Sequence, residues 1–514
     1  MLLDWILALS PILLILLLMV RFRWGAAKAG MAGLFLAVAV AVLHFGAGLR
    51  LLAVAHIKAL LLSVDVLLII WSAFLLYRVA DEAGAIRTIG DALPQLTSDR
   101  GMQGLLIGWA FASFLQGVGG FGVPVAVIAP IMVGLGFTPL MAVVIPSLGH
   151  GWAVTFGSLA SSFQALMAST GLPGETLAPP AAMMLGLAGV ATGVLVAHAA
   201  DGTAGARRLL LPALIMGLAM GITQFWLATS GLWNIGGFGG GMTGLVVGVA
   251  FSRRYRGHRG EGGAATPKAR DLSLALSAYI ALIVITLTVQ LIPAVRTALD
   301  SFVIAVPFPE VSTSLGYTTP AEYGRKIPLL RHAGTILTVS ALVAYFIYRR
   351  AGLYSSGAPG RILRGTVRRV MSASLGIVGM VAMAVVMSHA GMTDTLARGL
   401  AEGVGGFYPL AAPWIGALGA FMTGSNTNSN VLFAMLQMRT SQLLGFSVPV
   451  ILAAQTAGGA VGSVIAPTKV VVGASTAGMA GDEGPVLRAM LGYIGSLIIG
   501  LSTITWLFLQ VWPP

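Results

Sequence analysis

"GSNTNSN", residues 424–430, lies between the apolar runs "LAAPWIGALGAFM" (410–422) and "VLFAML" (431–436). Six consecutive polar side chains, Ser425, Asn426, Thr427, Asn428, Ser429 and Asn430, are thus carried between two hydrophobic segments. Clustered polar groups and irregular backbone survive at membrane depth only where protein shields them or they line a watery cavity, because hydrocarbon offers them no hydrogen-bond partner. A chain that enters the membrane, turns and leaves on the same side meets that condition. The stretch is therefore read as the tip of a re-entrant hairpin.

The rest of the chain agrees with a membrane setting. Of 514 residues, 57% are hydrophobic and 9% are charged, against roughly 25% charged in soluble domains. Apolar stretches long enough to cross a bilayer as helices, about 20 residues each, recur near 2–20, 29–48, 60–80, 139–168, 181–200, 209–229, 231–251, 272–292, 332–349, 370–391, 447–472 and 487–511. The expected fold is all-α and polytopic, one domain over 1–514, with about twelve transmembrane helices. Two glycine-rich segments near 103–134 and 407–437 are left over as hairpins. Cysteine is absent, which excludes disulfides and thiolate chemistry. The net charge of +13 does not point to nucleic acid, because the arginines cluster in short loops between apolar segments, as the positive-inside rule expects.

Those loops orient the chain. Arg21, Arg23 and Lys28, then Arg78, Arg87 and Arg100, then "RRYRGHRGEGGAATPKARD" (253–271) and the six arginines between Arg349 and Arg369 all belong in the cytoplasm on this rule. They fall on one side only if 103–134 enters and returns from the cytoplasm; by the same count residues 392–406 lie outside, so 407–437 dips from the periplasm. Both termini are then periplasmic. An internal repeat supports the pairing: "FLQGVGGFGVP" (114–124) followed by "LGFTP" (135–139) matches "FMTGSNTNSN" (421–430) followed by "LGFSVP" (444–449). Halves of roughly 60–251 and 332–511 would form an inverted-topology repeat, a build in which secondary transporters place substrate near the midplane, between broken helices.

The hairpins supply the candidate site. A half-helix N-terminus at a tip favours an anion, and Ser425, Asn426, Thr427 and Asn428 add hydroxyl and amide groups. In the first hairpin, Gly119, Gly120 and Gly122 allow close backbone approach to a ligand, and Gln116 adds a polar side chain. The spans that follow contribute Thr155 and Ser158 from "GHGWAVTFGS" (149–158), and Thr468 and Lys469 from "APTKV" (466–470). Lysine is expensive inside a bilayer and wants an anionic partner. His150 can change charge near neutral pH and is the candidate for proton coupling. Asp65, Lys58, His198 and His389 are further ionisable residues in apolar segments, with structural roles expected. No HExxH motif, no Ser-His-Asp set and no paired intramembrane carboxylates suggest an enzyme. A small organic anion carrier is expected instead, with a channel as the alternative and sodium as the alternative coupling ion.

"FLQGVGGFGVPVAVIAPIMVGLGFTPLMAVV" running into "GHGWAVTFGSL", and "FMTGSNTNSNVLFAMLQ" followed by "QTAGGAVGSVIAP", resemble the two signature regions of the bacterial L-lactate permease family. The resemblance implies a symporter of the bacterial cytoplasmic (inner) membrane that carries small 2-hydroxymonocarboxylates, such as L-lactate and glycolate, with protons. No metal and no organic cofactor are expected, and the partners expected are a small carboxylate and lipid, with the chain a monomer or homodimer. Ser425-Asn426-Thr427 is also similar to hairpin tips of the wider ion transporter superfamily, where they hold a carboxylate. The first hairpin carries "GVGGFGVP" and has no such triplet, and Lys469 follows Pro467 where relatives have lysine before the proline.

Overall fold

A computed structural model describes residues 2–22, 24–120, 122–255, 269–324, 326–480 and 482–512. Arg23 and residues 256–268, which enter the charge argument above, lie outside the described residues. Helices dominate, and among the described residues twelve helical segments are long and apolar enough to cross a membrane. The protein is an all-α polytopic membrane protein.

The sequence reading needs adjustment at three places. Helix Ala333–Arg350, taken as a span, ends in Arg349 and Arg350 and is not one of the twelve. The stretch Met392–Thr423 is one of them, although residues 392–406 were assigned to an external loop. Asp394, Arg398 and Glu402 recur every four residues there, so charge along one face of helix Met392–Val404 masks its apolar side. Thirdly, residues 303–328 form a nested antiparallel ribbon of three two-residue pairs, Val303–Ile304 with Ile327–Pro328, Pro307–Phe308 with Glu322–Tyr323 and Val311–Ser312 with Thr318–Thr319. The ribbon buries Phe308, Val311 and Ile327, and an ion pair between Lys58 and Glu322 ties it to helix Leu49–Glu82.

Two regions share one element order. In the first, a continuous helical stretch over 100–118 ends before Gly119 and Gly120, and a new helix begins at Val123 as Val123–Gly134. Helix Pro139–His150 follows, breaks over 151–160 and resumes as Ser161–Thr170. In the second, helix Tyr408–Thr423 breaks at Gly424 and Ser425 and resumes as Asn426–Leu444; helix Val448–Gly462 follows, loses regular form by Ala466 and resumes as Pro467–Thr476. The spans expected as continuous over 139–168 and 447–472 are therefore both interrupted.

Buried apolar side chains form two clusters. One draws on helices Leu2–Val20, Ala26–Leu43, Leu49–Glu82 and Ala358–His389, and the other on most of the remaining helices. The returning arm Asn426–Leu444 serves both: Val431, Leu432, Phe433 and Leu436 belong to the first cluster, Ala434 and Met438 to the second. The polar end of this arm is thus held between two apolar bodies.

Candidate functional site

Each tip packs onto the broken helix that follows it. In the first region Gly120 has φ +55°, and a Cβ there would lie 1.7 Å from Ser158 Oγ. The neighbouring break contains Ser158, Leu159 and Ala160 at φ +46°, +56° and +64°. Three successive non-glycine residues in the left-handed region cost roughly 1–2 kcal/mol each, a strain that persists only where surrounding packing over-determines it. All three are buried. Gln116 is also buried, with Oε1 unpartnered, and its backbone carbonyl lies 2.8 Å from the Cβ position of Gly157. Gly119 packs against the Tyr77 ring, whereas Gly122 has open space on its Cβ side.

In the second region Gly424 turns the chain at φ +74°, and its Cβ position lies 2.6 Å from Thr468 Oγ1. Ser425 caps helix Asn426–Leu444, its hydroxyl accepting from the Asn428 backbone N–H at 3.4 Å. The Cβ position of Gly459 is 2.2 Å from Asn426 Oδ1, so glycine at 459 lets the tip seat against helix Val448–Gly462.

The two regions then meet along a polar seam. Asn426 Nδ2 donates to Thr155 Oγ1 at 3.1 Å and to Thr456 Oγ1 at 3.3 Å. The hydroxyls of Thr155 and Thr456 are 3.2 Å apart. Asn430 Nδ2 donates to Thr456 Oγ1 and to the Ser162 carbonyl, both at 2.9 Å, and the Ser162 and Thr427 hydroxyls lie 3.1 Å apart. One turn further, Ser429 donates to the Gly416 carbonyl at 2.7 Å and accepts from Gln455 Nε2 at 3.0 Å, while Gln437 Nε2 donates to Gln455 Oε1 at 3.0 Å. All these side chains are buried. Yet Asn426 Oδ1, Asn428 Oδ1 and Asn430 Oδ1 lack partners, and an unpaired buried acceptor costs about 1–3 kcal/mol.

Of the residues singled out from sequence, Gln116, Gly120 and Ser158 come together at the first tip, Asn426, Thr427 and Thr155 along the seam, and Gly424 and Thr468 at the second tip. Thr468 is exposed. Lys469 is buried, and its ammonium donates to Ser463 Oγ at 3.0 Å. His150 is fully buried, with Nδ1 bonded to the Pro146 carbonyl at 2.6 Å and Nε2 unpartnered. Thr456, Ser162 and Asn430 were not selected from sequence. Asn430 alone carried a signal, since it stands one helical turn from Asn426 and so shares its face.

A cavity of about 730 Å³ opens beside the seam. Its lining includes Gln164, Val431 and Met435 together with Asp65, His332 and Val385.

Such an assembly, irregular tips and interrupted helices meeting in a polar seam inside a bundle of spanning helices, defines a polytopic membrane protein built to admit a polar solute. The L-lactate permease family model matches residues 4–512, and the chain belongs to that family. It is 26% identical to the glycolate permease GlcA of Escherichia coli (strain K12), over 98% of this chain and 95% of that one. It is 27% identical to the L-lactate permease of Bacillus subtilis (strain 168), over 98% of this chain and 96% of the relative. These relatives are permeases, and the protein is a membrane transporter rather than an enzyme. MtrF of Neisseria gonorrhoeae, a solved structure, is 15% identical, covers 88% of this chain and 84% of its own, and superposes with a TM-score of 0.47.

Proposed function

We propose that this transporter is a proton symporter of small 2-hydroxymonocarboxylates such as L-lactate and glycolate, working in a bacterial cytoplasmic membrane with both termini periplasmic. The hairpins are re-entrant and the two regions are inverted repeats. Substrate binds where the tips and interrupted helices meet, held by Gln116, Gly119, Gly120, Gly122, Thr155, Ser158, Ser425, Asn426, Thr427, Asn428, Thr468 and Lys469. The observation that carries this reading is the set of three unpartnered amide oxygens on Asn426, Asn428 and Asn430. A 2-hydroxy acid brings the hydroxyl donor that such acceptors lack. Its carboxylate suits the buried ammonium of Lys469, whose hydrogen bond to the neutral Ser463 leaves its charge for an anion to offset. The printed functions of the two relatives, lactate and glycolate permeases, support the same substrate class.

Purified protein in vesicles tests this directly. Under an inward proton gradient without sodium, uptake of L-lactate and glycolate should be saturable and should exceed that of dicarboxylates at least ten-fold. Lys469→Met should raise the KM for L-lactate at least ten-fold, because an apolar chain of similar length keeps the packing and removes the charge. Sodium dependence at fixed pH, or equal uptake of dicarboxylates, would overturn the reading.

A further inference from the structure

Helix Ala358–His389 is longer than a bilayer needs. Its 32 residues run about 48 Å at 1.5 Å per residue, whereas roughly 30 Å of hydrocarbon crossed at an average tilt needs about 32 Å, so roughly ten residues stand clear of the apolar layer. The surplus belongs at the start, where Arg361, Arg364, Arg368 and Arg369 fall, because arginine is expelled toward the headgroups. Towards the other end, Val381, Val385 and His389 line the 730 Å³ cavity together with Asp65 and His332, whose Oδ1 and Nε2 are 2.9 Å apart. One unbroken helix thus joins the headgroup level to the cavity wall.

The arginines at its start have different surroundings. Arg361 is engaged by the protein: Nε donates to Glu82 Oε1 at 2.7 Å, Nη1 to the Ser356 carbonyl at 2.7 Å and Nη2 to Ser355 Oγ at 2.6 Å. The nearby acids of helix Leu49–Glu82 are also shared with Arg78, 2.6 Å from Asp81 and 3.6 Å from Glu82. Arg364 and Arg368 are exposed, and neither has an acidic partner among the described residues. Arg364 Nε donates to the Gly360 carbonyl at 3.1 Å, which leaves both Nη groups for a ligand. Four residues apart on one helix, the two side chains are neighbours, and like charges at that spacing repel. An anion placed between them removes the repulsion. Met371 and Leu375 stand seven residues further along, two turns deeper on the same face, and Leu363 and Val367 flank the pair; all four are exposed. Cations therefore stand above apolar side chains, in the order of a lipid's headgroup and acyl chain.

We propose that this face binds an anionic phospholipid. The guanidinium groups of Arg364 and Arg368 converge on its phosphodiester, and an acyl chain lies along Met371 and Leu375. A soluble anion would leave those two apolar side chains uncovered. Arg349 and Arg350 supply the contrast: they are exposed at the end of helix Ala333–Arg350, but consecutive residues on a helix do not face each other, so they cannot close on one phosphate. The site is independent of the solute carried.

Melting of the purified protein in a neutral detergent tests this. Phosphatidylglycerol should raise the melting temperature by about 4 °C over phosphatidylcholine with the same acyl chains, and inorganic phosphate alone should not. Arg364→Gln with Arg368→Gln should lose most of that gain, whereas Arg349→Gln with Arg350→Gln, which removes the same charge, should keep it. Equal losses in the two double variants would show a general attraction to charge and overturn the assignment, as would an equal gain from phosphatidylcholine or from inorganic phosphate. A phosphatidylglycerol with a photoreactive headgroup should label the wild type mainly between residues 357 and 371. Labelling spread evenly over the arginine-bearing helix ends would overturn the site without recourse to any variant.

Discussion

The regions 100–170 and 408–476 solve one problem by opposite means. Both must interrupt helices inside a membrane protein without stranding backbone groups. The first uses backbone: glycines at the tip, and a left-handed run at Ser158, Leu159 and Ala160, the only non-glycine residues with positive φ among the described residues. The second uses side chains: Ser425 caps the returning arm, and Asn426, Thr427 and Asn430 bond across to Thr155, Thr456 and Ser162. One region supplies shape and the other supplies polar groups. A seam forms only because Thr155 and Ser162, on either side of the left-handed run, are presented to the second tip.

The sharpest way to break this contrast is to add one methyl group to each tip. Gly120→Ala places Cβ 1.7 Å from Ser158 Oγ and 3.0 Å from Ser158 Cβ, against a side chain that the left-handed run holds in place. Gly424→Ala meets only Thr468 Oγ1 within 3 Å, the end of an exposed side chain that can rotate away. Both pay the left-handed penalty of roughly 1–2 kcal/mol. Gly120→Ala is therefore expected to abolish uptake and lower the melting temperature in detergent, while Gly424→Ala retains measurable uptake. Equal losses in the two would mean that the tips are alike after all.

The next effect concerns the polar groups. Asn426→Ala removes the donor to Thr155 and Thr456, whose hydroxyls can still bond each other at 3.2 Å, so stability should fall by only about 1 kcal/mol. Uptake of L-lactate should fall at least ten-fold, since the tip loses its amide. Gln116→Ala in the first tip should reduce uptake no more than three-fold, because that region's contribution is its backbone. Uptake assays on both variants, with melting curves, check the pair; a larger loss in Gln116→Ala would reverse the assigned roles.

The second region was the more legible in sequence, and the reason is physical. Six polar side chains between apolar runs are conspicuous in a membrane protein, and Pro467 marks the start of a new helix. The break over 151–160 left no comparable mark. Left-handed Ser158, Leu159 and Ala160 are residues that nothing local drives into that conformation, so tertiary packing imposes it. Thr456 and Ser162 escaped notice for a related reason: one is a small polar residue in the glycine-rich helix Val448–Gly462 and the other is one of two serines opening helix Ser161–Thr170, both ordinary as interhelical glue until the tip of another element is seen to touch them. Asp65 and His332, 267 positions apart, could not be paired by spacing at all.

The subtlest test compares one substitution in two places. Ala160 and Ala457 are both fully buried, but Ala160 is left-handed at φ +64° and Ala457 lies within helix Val448–Gly462. Ala457→Gly loses the helix preference of alanine, about 1 kcal/mol, together with its buried methyl group. Ala160→Gly loses the same methyl group and gains unfolded-state freedom, but it also relieves roughly 1–2 kcal/mol of backbone strain. Chemistry and burial are matched, so the difference between the two reports conformation. Ala160→Gly should be close to neutral, and Ala457→Gly should be less stable than it by roughly 1–2 kcal/mol in denaturant titrations. Relaxing the break should also loosen Ser158 against Gly120 and reduce uptake two- to three-fold. Equal destabilisation by both substitutions would show that the first region stores no strain, and its contrast with the second would then reduce to the composition of their tips.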